Sequence, residues 1–181
     1  MRSLDRSAQK YPIISNSILE EEVQAIGIRY FQNHFSVSNY FQSLNHPANT
    51  AFIQAFRKKY GKRRLLNAPM ASAYSAVYLW KAAVEKAQSF NPTKVRQAAR
   101  GLMFDSPMGQ VRMNVNHHLS LPCLIGRIRA DGLFDIVYHS KTAIAPQPWN
   151  PAIAATKGYA CDWSDPKRGG KYRGSIDSNV G

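Results

Sequence analysis

The chain has 181 residues, 44% of them hydrophobic and 11% aromatic, a composition that excludes a mainly disordered or collagen-like protein. No run of about eighteen apolar residues occurs in it, and its beginning is polar. We therefore expect no membrane insertion, no secretory signal and, for the chain as written, a cytoplasmic location. The net charge of +13, from 24 Lys and Arg against 11 Asp and Glu, indicates an anionic partner or a loss of acidic residues.

The first predicted elements are a strand at residues 11–15 and a helix at residues 19–26. The apolar run YPIIS is typical of an inner strand of a parallel sheet. Three consecutive acids, Glu20 to Glu22, favour a helix start, and Gly27 favours its end. The aromatic-rich segment 30–41 is predicted to be a strand that leaves the local sheet. Because an inner parallel strand needs two neighbours, we expect the fold to begin in its middle.

Three helices are predicted next. The first runs from Asn45 to Gly61, and its apolar face is assigned to Ala48, Phe52, Ala55 and Phe56. The second begins at Pro69, and its helically spaced apolar residues are assigned to the core: Met70, Ala73, Tyr74, Val77, Trp80 and Val84. The third covers Pro92 to Ala99, with Asn91 as its cap.

The remainder of the chain is predicted to be β-rich and then irregular. Strands are expected at residues 110–115, 123–129 and 133–139. Asp131 and Gly132 join the last two strands and predict a two-residue hairpin turn with positive φ at both positions. From Pro146 onward the absence of periodicity indicates an irregular tail. The order of elements places the protein in the α/β class.

Catalytic and metal-binding motifs are absent from the sequence. It has no GxSxG, HExxH, Walker or glycine-rich dinucleotide motif. His117 and His118 are adjacent, so in an extended segment they face opposite ways and cannot share a metal. Cys123 and Cys161 are too few for a metal site, and a disulfide between them requires an oxidising compartment. We therefore predict a protein that is not an enzyme and has no cofactor or metal.

The densest basic run lies at Arg57–Lys59 and Lys62–Arg64, around Tyr60 and Gly61. We interpret it as a solvated helix end and loop, because cations suit a helix C-terminus, with a phosphate-binding patch as the alternative. The other basic residues are scattered, which is not typical of a specific nucleic-acid binder. No specific nucleic-acid partner is predicted.

Long, ordered segments of the chain carry a family resemblance: NYFQSLNHPANTAFIQAFRKKYG, NAPMASAYSAVYLWKAAVEKA, KVRQAA, FDSPMGQV, NHHLSLPCLIGRIRADGLFDIV and KGYACDWSDPKRGGKY. From about Tyr11 to Tyr172 they resemble the C-terminal half of bacterial urea-binding proteins. These proteins are the substrate-binding components of urea ABC transporters and are similar to short-chain amide-binding regulators.

The resemblance implies an incomplete type I periplasmic-binding fold, in which two Rossmann-like lobes are joined by crossover strands and hold the ligand in their cleft. By analogy, residues 1–40 are the remnant of lobe two and the first crossover, and residues 41–108 are the helical part of lobe one. Residues 109–145 recross as strands and a hairpin, and residues 146–181 are an irregular tail. The implied partners are permease subunits and a complementary N-terminal half, and the implied location is the periplasm.

Some residues depart from the family pattern. Ala68, Ala71 and Met108 stand where the pattern has acids, and Ser38 stands where it has tryptophan. These losses help to explain the charge of +13 without any nucleic acid. They also resemble the drift of a truncated gene.

The candidate ligand contacts lie in the loop SNSILEEE and after the next strand. Urea has one carbonyl acceptor and four N–H donors, so a selective pocket needs oxygen acceptors and one donor. By resemblance Ser17 contributes to the pocket, with Ser15, Glu20 and Asn39 as further candidates. The alternative for the serines is helix capping, and for Glu20 it is complementation of the helix dipole.

The predicted function is substrate binding for a urea or short-chain amide ABC transporter, in a truncated form that does not bind alone. The first alternative is an amide-sensing regulator of the same fold, whose gene neighbour would encode an RNA-binding antiterminator rather than permeases. The second alternative is a basic nucleic-acid-binding module.

Overall fold

The computed structural model describes residues 7–147, 152–154, 159–160 and 172–173. The chain forms two compact units, Met1–Ile144 and Ala145–Gly181. The helices of the first unit are α1 (Glu20–Ile26), α2 (Pro47–Tyr60), α3 (Ala68–Ala87) and α4 (Pro92–Ala99), with a short 3-10 helix at Ile28–Tyr30. Its strands are β1 (Ile14–Ser15), β2 (Phe35–Ser38), β3 (Met103–Ser106), β4 (Gly109–Met113), β5 (Leu119–Ser120), β6 (Leu124–Ile128) and β7 (Phe134–His139). In the second unit β8 (Tyr159–Ala160) pairs antiparallel with β9 (Tyr172–Arg173).

The main sheet has the strand order β1-β2-β6-β7. β1 is parallel to β2, with Ser15 opposite Ser36, whereas β6 and β7 are antiparallel to their neighbours. The parallel pair is joined through α1, as expected for a strand-helix-strand crossover. This arrangement confirms the predicted α/β class. Because β1 and β2 are parallel, their carboxyl ends lie side by side at one edge of the sheet, the edge at which strands finish.

The chain leaves the main sheet after β2 and returns at β6. Between them lie α2, α3 and α4 and the small antiparallel sheet β3-β4-β5. Asn67 caps α3 by accepting from Met70 N at 3.1 Å, and Asn91 caps α4 by accepting from Thr93 N and Lys94 N. Each of these caps is followed by a proline in the first helical turn, where its missing N–H is not needed.

The core of the first unit lies between the main sheet, α1 and the helices. Phe41 and Phe134 stack within it, with ring centroids 4.4 Å apart and planes inclined by 24°. Gly126 lies against both rings, because a Cβ there would be 2.8 Å from Phe134 Cδ1 and 2.9 Å from Phe41 Cε2. The absence of a side chain at Gly126 therefore lets the two rings pack onto β6.

The start of the chain differs from the prediction in two ways. β1 covers only Ile14–Ser15 and forms an edge of the main sheet, with Ile14 58% exposed, so it is not an inner strand in this structure. In the segment 30–41, only Phe35–Ser38 is a strand, and it lies between β1 and β6 rather than leaving the sheet. The apolar pattern correctly predicted a strand in each segment, but it could not show how many neighbouring strands each one has.

The predicted core faces of α2 and α3 are partly wrong. Val77 and Trp80 are 63% and 55% exposed, and Ala73, also assigned to the core, is exposed. The buried side of α3 consists of small residues and one leucine: Ala68, Ala71, Ser75, Leu79 and Ala83. On α2, Ala55 is exposed and Asn49 is buried. Because α3 is apolar on most of its surface, helical spacing alone predicted that the side with bulky residues is buried. In the structure the side with small residues is buried, because it packs closely on α4 and β3.

The hairpin between β6 and β7 is confirmed, but its turn is not the predicted two-residue type. Gly132 N donates to Arg129 O, Arg129 N donates to Leu133 O, and of the two predicted residues only Gly132 has positive φ, at 80°. This pattern is a turn followed by a glycine bulge. The Asp131 carboxylate also accepts from Leu133 N at 3.0 Å, which adds a side-chain hydrogen bond to the turn.

Three short elements of the first unit were not predicted, namely the 3-10 helix at Ile28–Tyr30, the hairpin strand β3 and the two-residue β5. The tail predicted to be irregular contains the β8-β9 pair. Apart from this pair and residues 146–147 and 152–154, the tail, including Cys161, lies outside the described residues. Cys123 is half-buried beside β6. Within the described part of the chain, no helix is long and apolar enough to cross a membrane.

Candidate functional site

The loop after β1 carries two of the predicted ligand contacts. Ser15 Oγ accepts a hydrogen bond from Ser17 N at 3.2 Å, and the two hydroxyl oxygens are 3.5 Å apart. Ser17 is exposed and Ser15 is half-buried. The Ser15 hydroxyl thus shapes the loop and holds the Ser17 hydroxyl next to it at the surface.

The end of β2 lies beside this loop and carries Asn39. Ser36 is fully buried, and its hydroxyl lies 2.6 Å from Ile18 O and 3.1 Å from Ser15 O, which fixes the loop after β1 to β2. Ser38 Oγ accepts from Tyr40 N at 3.4 Å, and Asn39 between them is half-buried. Parallel strands end at one edge of a sheet, so Ser17 and Asn39 belong to the same edge.

Glu20 points into the molecule rather than toward solvent. Its side chain is fully buried at the start of α1, and Oε1 accepts from Gln42 N at 2.7 Å. Burial raises the pKa of this carboxyl to about 7, with a further contribution from Glu22 and Glu21, while the Gln42 hydrogen bond opposes the shift. Glu20 therefore lies behind the candidate site, in contact with the segment that follows Asn39.

A buried polar network around Gln42 was not anticipated from the sequence. Gln42 Oε1 accepts from Leu66 N at 2.8 Å, and Asn49 Nδ2 donates to Gln42 O and Leu44 O. Tyr40 OH donates to Asn49 Oδ1 at 2.8 Å. A polar residue such as Asn49 on an apolar helix face could have indicated the network, but its partners are distant in sequence.

Two open cavities lie away from most of the predicted residues. One of about 640 Å³ is lined by Ile13, Ser15, Arg29, His34 and Phe35 among others. The other, of about 750 Å³, is lined by Ser43, His46, Arg129, Asp135 and His139 among others. Ser15 borders the first cavity, whereas Ser17, Glu20 and Asn39 border neither.

The histidines of the described residues form no metal-binding group with acids or cysteines. His46 Nε2 lies 3.5 Å from Asp105 Oδ1, and His46 Nδ1 is buried without a hydrogen-bond partner in this part of the chain. Ser43, nearby in sequence, donates its hydroxyl proton to Phe134 O at 2.5 Å. The Ser43 hydroxyl therefore donates to a backbone carbonyl and not to His46, so Ser43 and His46 do not form a nucleophile-base pair.

Comparison with known proteins identifies a family. Residues 1–155 match the family described as "Periplasmic binding protein domain". A curated relative, named limonene hydroxylase from Geobacillus stearothermophilus, is 36% identical over 123 residues, which are 68% of this chain and 23% of the relative.

Solved structures share the fold. An amino acid ABC transporter substrate-binding protein from Pseudomonas fluorescens is 16% identical, with a TM-score of 0.66 over 77% of this chain and 39% of its own. A solute-binding protein of an ABC transporter from Rhodopseudomonas palustris, in complex with p-hydroxybenzoic acid, is 22% identical, with a TM-score of 0.65 over 84% of this chain and 41% of its own. The chain thus spans about two fifths of these structures and about a quarter of the curated relative.

Proposed function

The chain belongs to the periplasmic binding protein domain family, and from this premise we propose that it is part of the substrate-binding component of a urea or short-chain amide ABC transporter. The observation that supports the ligand class is the polar edge formed by Ser15, Ser17 and Asn39 where β1 and β2 end. Open α/β sheets bind ligands at the carboxyl ends of their strands.

The chemistry of this edge suits a small amide. Hydroxyl oxygens such as those of Ser15 and Ser17 accept hydrogen bonds from amide N–H groups. The Asn39 side chain offers both an N–H donor for a carbonyl and a carbonyl acceptor for an amide. The p-hydroxybenzoic acid and amino acid named for the solved relatives carry carboxylates instead, so these ligands are the competing candidates.

The ligand is enclosed only when a second part of the protein covers this edge. We assign residues 1–40 to lobe two and the first crossover, residues 41–108 to lobe one, residues 109–145 to the recrossing strands and residues 146–181 to the tail. In this assignment residues 1–181 supply one wall of the cleft. The other wall belongs to a complementary N-terminal half.

A binding function without catalysis accords with the family. The name limonene hydroxylase describes a protein of which the chain matches 23%, and the match does not carry that activity to this chain. We also assign the complete protein to the periplasm, with permease subunits as partners.

The regulator alternative uses the same ligand site and differs in its partner. A chromosomal neighbour that encodes an RNA-binding antiterminator would favour the regulator, whereas neighbouring permease genes would favour transport. Both alternatives place the amide at the edge formed by Ser15, Ser17 and Asn39.

The proposal is tested by calorimetry with urea, acetamide, p-hydroxybenzoate and leucine. We expect no heat from residues 1–181 alone, because one wall leaves a small polar ligand in contact with water and each hydrogen bond replaces one to solvent. With the N-terminal half of a related full-length protein co-expressed, urea or acetamide should bind. In that complex Ser17→Ala should weaken binding by roughly fivefold, the effect of one hydrogen bond of about 1 kcal/mol.

Thr93→Ala is the matched control, since Thr93 is exposed in α4. Micromolar urea binding by the isolated chain would contradict the need for a second wall. Binding of p-hydroxybenzoate or leucine in preference to amides would contradict the proposed ligand class.

A further inference from the structure

Glu20 connects α1 to the segment Asn39–Leu44, which follows the candidate ligand contact Asn39. Its Oε1 accepts from Gln42 N at 2.7 Å, and its Oε2 is buried without a hydrogen-bond partner among the described residues. A fully buried carboxyl with one orphan oxygen is costly when charged and tolerable when neutral. The position of this segment is thus coupled to the state of one carboxyl group.

The contact extends from Gln42 to the helices. Gln42 Oε1 accepts from Leu66 N, immediately before α3, and Asn49 on α2 donates to Gln42 O. Beside it Glu21 Oε2 accepts from Asn67 Nδ2 at 3.0 Å, and Asn67 caps α3. Two neighbouring acidic residues of α1, Glu20 and Glu21, therefore hold the segment and the start of α3 in one place.

The charged and titratable groups around Glu20 disfavour its ionised form. Burial raises the pKa of Glu20 to about 7, with contributions from Glu22 and Glu21 on the same helix, while hydrogen bonds from the backbone of Gln42 and of Glu20 itself oppose the shift. On the facing segment is Tyr40, whose own pKa is raised by burial and by the charge of Glu20. Arg57 on α2 acts on Tyr40, where it lowers the pKa. Glu20 therefore changes its protonation near neutral pH.

We propose that Glu20 is a positioning residue that holds the segment Asn39–Leu44 against α1 when its carboxyl is protonated and releases it when the carboxyl ionises. The neutral acid keeps Oε1 on Gln42 N and places its proton on the orphan Oε2. The carboxylate must draw water to Oε2, and water entry opens the contact. The consequence for ligand binding rests on the proposed function, since Asn39 begins this segment.

The test is to measure amide hydrogen exchange of the full chain at pH 6 and at pH 8, with NMR as the detection method. After correction for intrinsic base catalysis, the protection of the Gln42 amide should fall by about tenfold between these values, the change that linkage gives for a carboxyl moving from about 7 when closed to about 4.5 when open. The Val95 amide, which donates to Asn91 O in α4, is the internal control and should keep its protection.

Glu20→Gln is the decisive variant, because glutamine keeps an acceptor for Gln42 N and cannot ionise. Its Gln42 protection should be equal at both pH values, whereas Glu20→Ala should lose protection at both. Unchanged protection of Gln42 in the wild type, or an equal fall in Glu20→Gln, would overturn the proposal. If Glu20→Ala fails to fold, the wild type and Glu20→Gln still decide the question.

A second measurement separates this inference from the proposed function. In the complex with a complementary half, urea affinity should fall between pH 6 and pH 8 for the wild type and not for Glu20→Gln. A pH-dependent Gln42 amide without urea binding at either pH would contradict the transport proposal and leave the role of Glu20 intact. Urea binding whose affinity is the same at both pH values would show that Glu20 does not position the ligand contact.

Discussion

At the scale of single residues, buried polar groups determine how the segments fit together. Ser36 and Asn49 are almost fully buried, yet each bonds to backbone carbonyls of a different segment. Losing such a partner leaves a buried group unsatisfied, which costs more than the bond itself contributes. These residues therefore specify which loops meet, in addition to stabilising them.

His34 is expected to make stability depend on pH in the opposite sense to Glu20. Its Nδ1 accepts from Ile13 N at 3.0 Å, which requires a neutral ring, and burial lowers its pKa. This contribution is complete above the unfolded pKa of about 6.5 and is lost as pH falls through and below it. The difference in unfolding free energy between wild type and His34→Ala should shrink by about 0.5 to 1 kcal/mol from pH 7.5 to pH 5.

Guanidinium chloride unfolding at both pH values measures this difference. Guanidinium is preferred to urea because urea is the proposed ligand. A difference that stays constant, or grows as the pH falls, would contradict a neutral His34 acceptor.

At the scale of elements, local signals were sufficient for helix ends and insufficient for helix faces. The start of α4 at Asn91 and Pro92 was predicted because an N-terminal cap depends only on residues within three positions of it. The buried side of α3 was not predicted, because its spacing fits Val77 as well as Leu79 and only the packing partner decides. For the same reason the adjacency of Ser15 and Ser17 was predictable and the Glu20 contact with Gln42 was not.

The corrected face of α3 predicts two contrasting substitutions. Leu79→Ala should lower the unfolding free energy by about 2 to 4 kcal/mol, because it leaves a cavity at a buried position. Val77→Ala should change it by less than about 0.5 kcal/mol, because Val77 is exposed. Thermal and chemical unfolding of both variants would show which side of α3 is buried. A larger loss of unfolding free energy for Val77→Ala than for Leu79→Ala would show that the side with bulky residues faces the core.

The close approach of β6 to the stacked rings predicts that Gly126→Ala is destabilising. The new Cβ would overlap Phe134 and Phe41, and overpacking of this kind costs about 1 to 3 kcal/mol. Adding Phe41→Leu should recover part of the loss, since it removes the ring edge that the Cβ meets. A double-mutant cycle measures this recovery, and purely additive effects would show that the overlap is relieved elsewhere.

At the scale of the whole molecule, the positive charge is concentrated in the segment that carries α2, α3 and α4. Residues 41–100 contain eleven Lys and Arg and one acid, a net charge of +10. Among the described residues of that part, Lys81 and Glu85 form an ion pair, with 2.6 Å between Nζ and Oε1. Lys58, Lys59 and Lys62 are exposed at the end of α2 and beyond it. These lysines thus lie on the solvent-exposed surface.

This distribution predicts weak, sequence-independent binding to nucleic acid. Fluorescence anisotropy with single-stranded DNA should show affinity falling at least about tenfold from 50 to 150 mM salt. Replacing Lys58, Lys59, Lys62 and Arg63 by glutamine should weaken binding no more than replacing Lys86, Lys94, Arg96 and Arg112. A far larger effect of the first set would identify a localised patch, and sequence-selective binding at physiological salt would favour the nucleic-acid alternative.

The pairing of Ser38 with Leu124 makes residues 39–123 a cassette inserted into the main sheet. Residues 39–123 enter and leave at adjacent positions of two paired strands, so the sheet would stay continuous if a tight turn replaced the cassette. Closing β2 onto β6 across so long a segment is entropically costly unless the cassette becomes compact first. Such a miniaturised sheet should therefore form its β2-β6 pairing faster than the whole chain, and the cassette could be exchanged between relatives at these two positions.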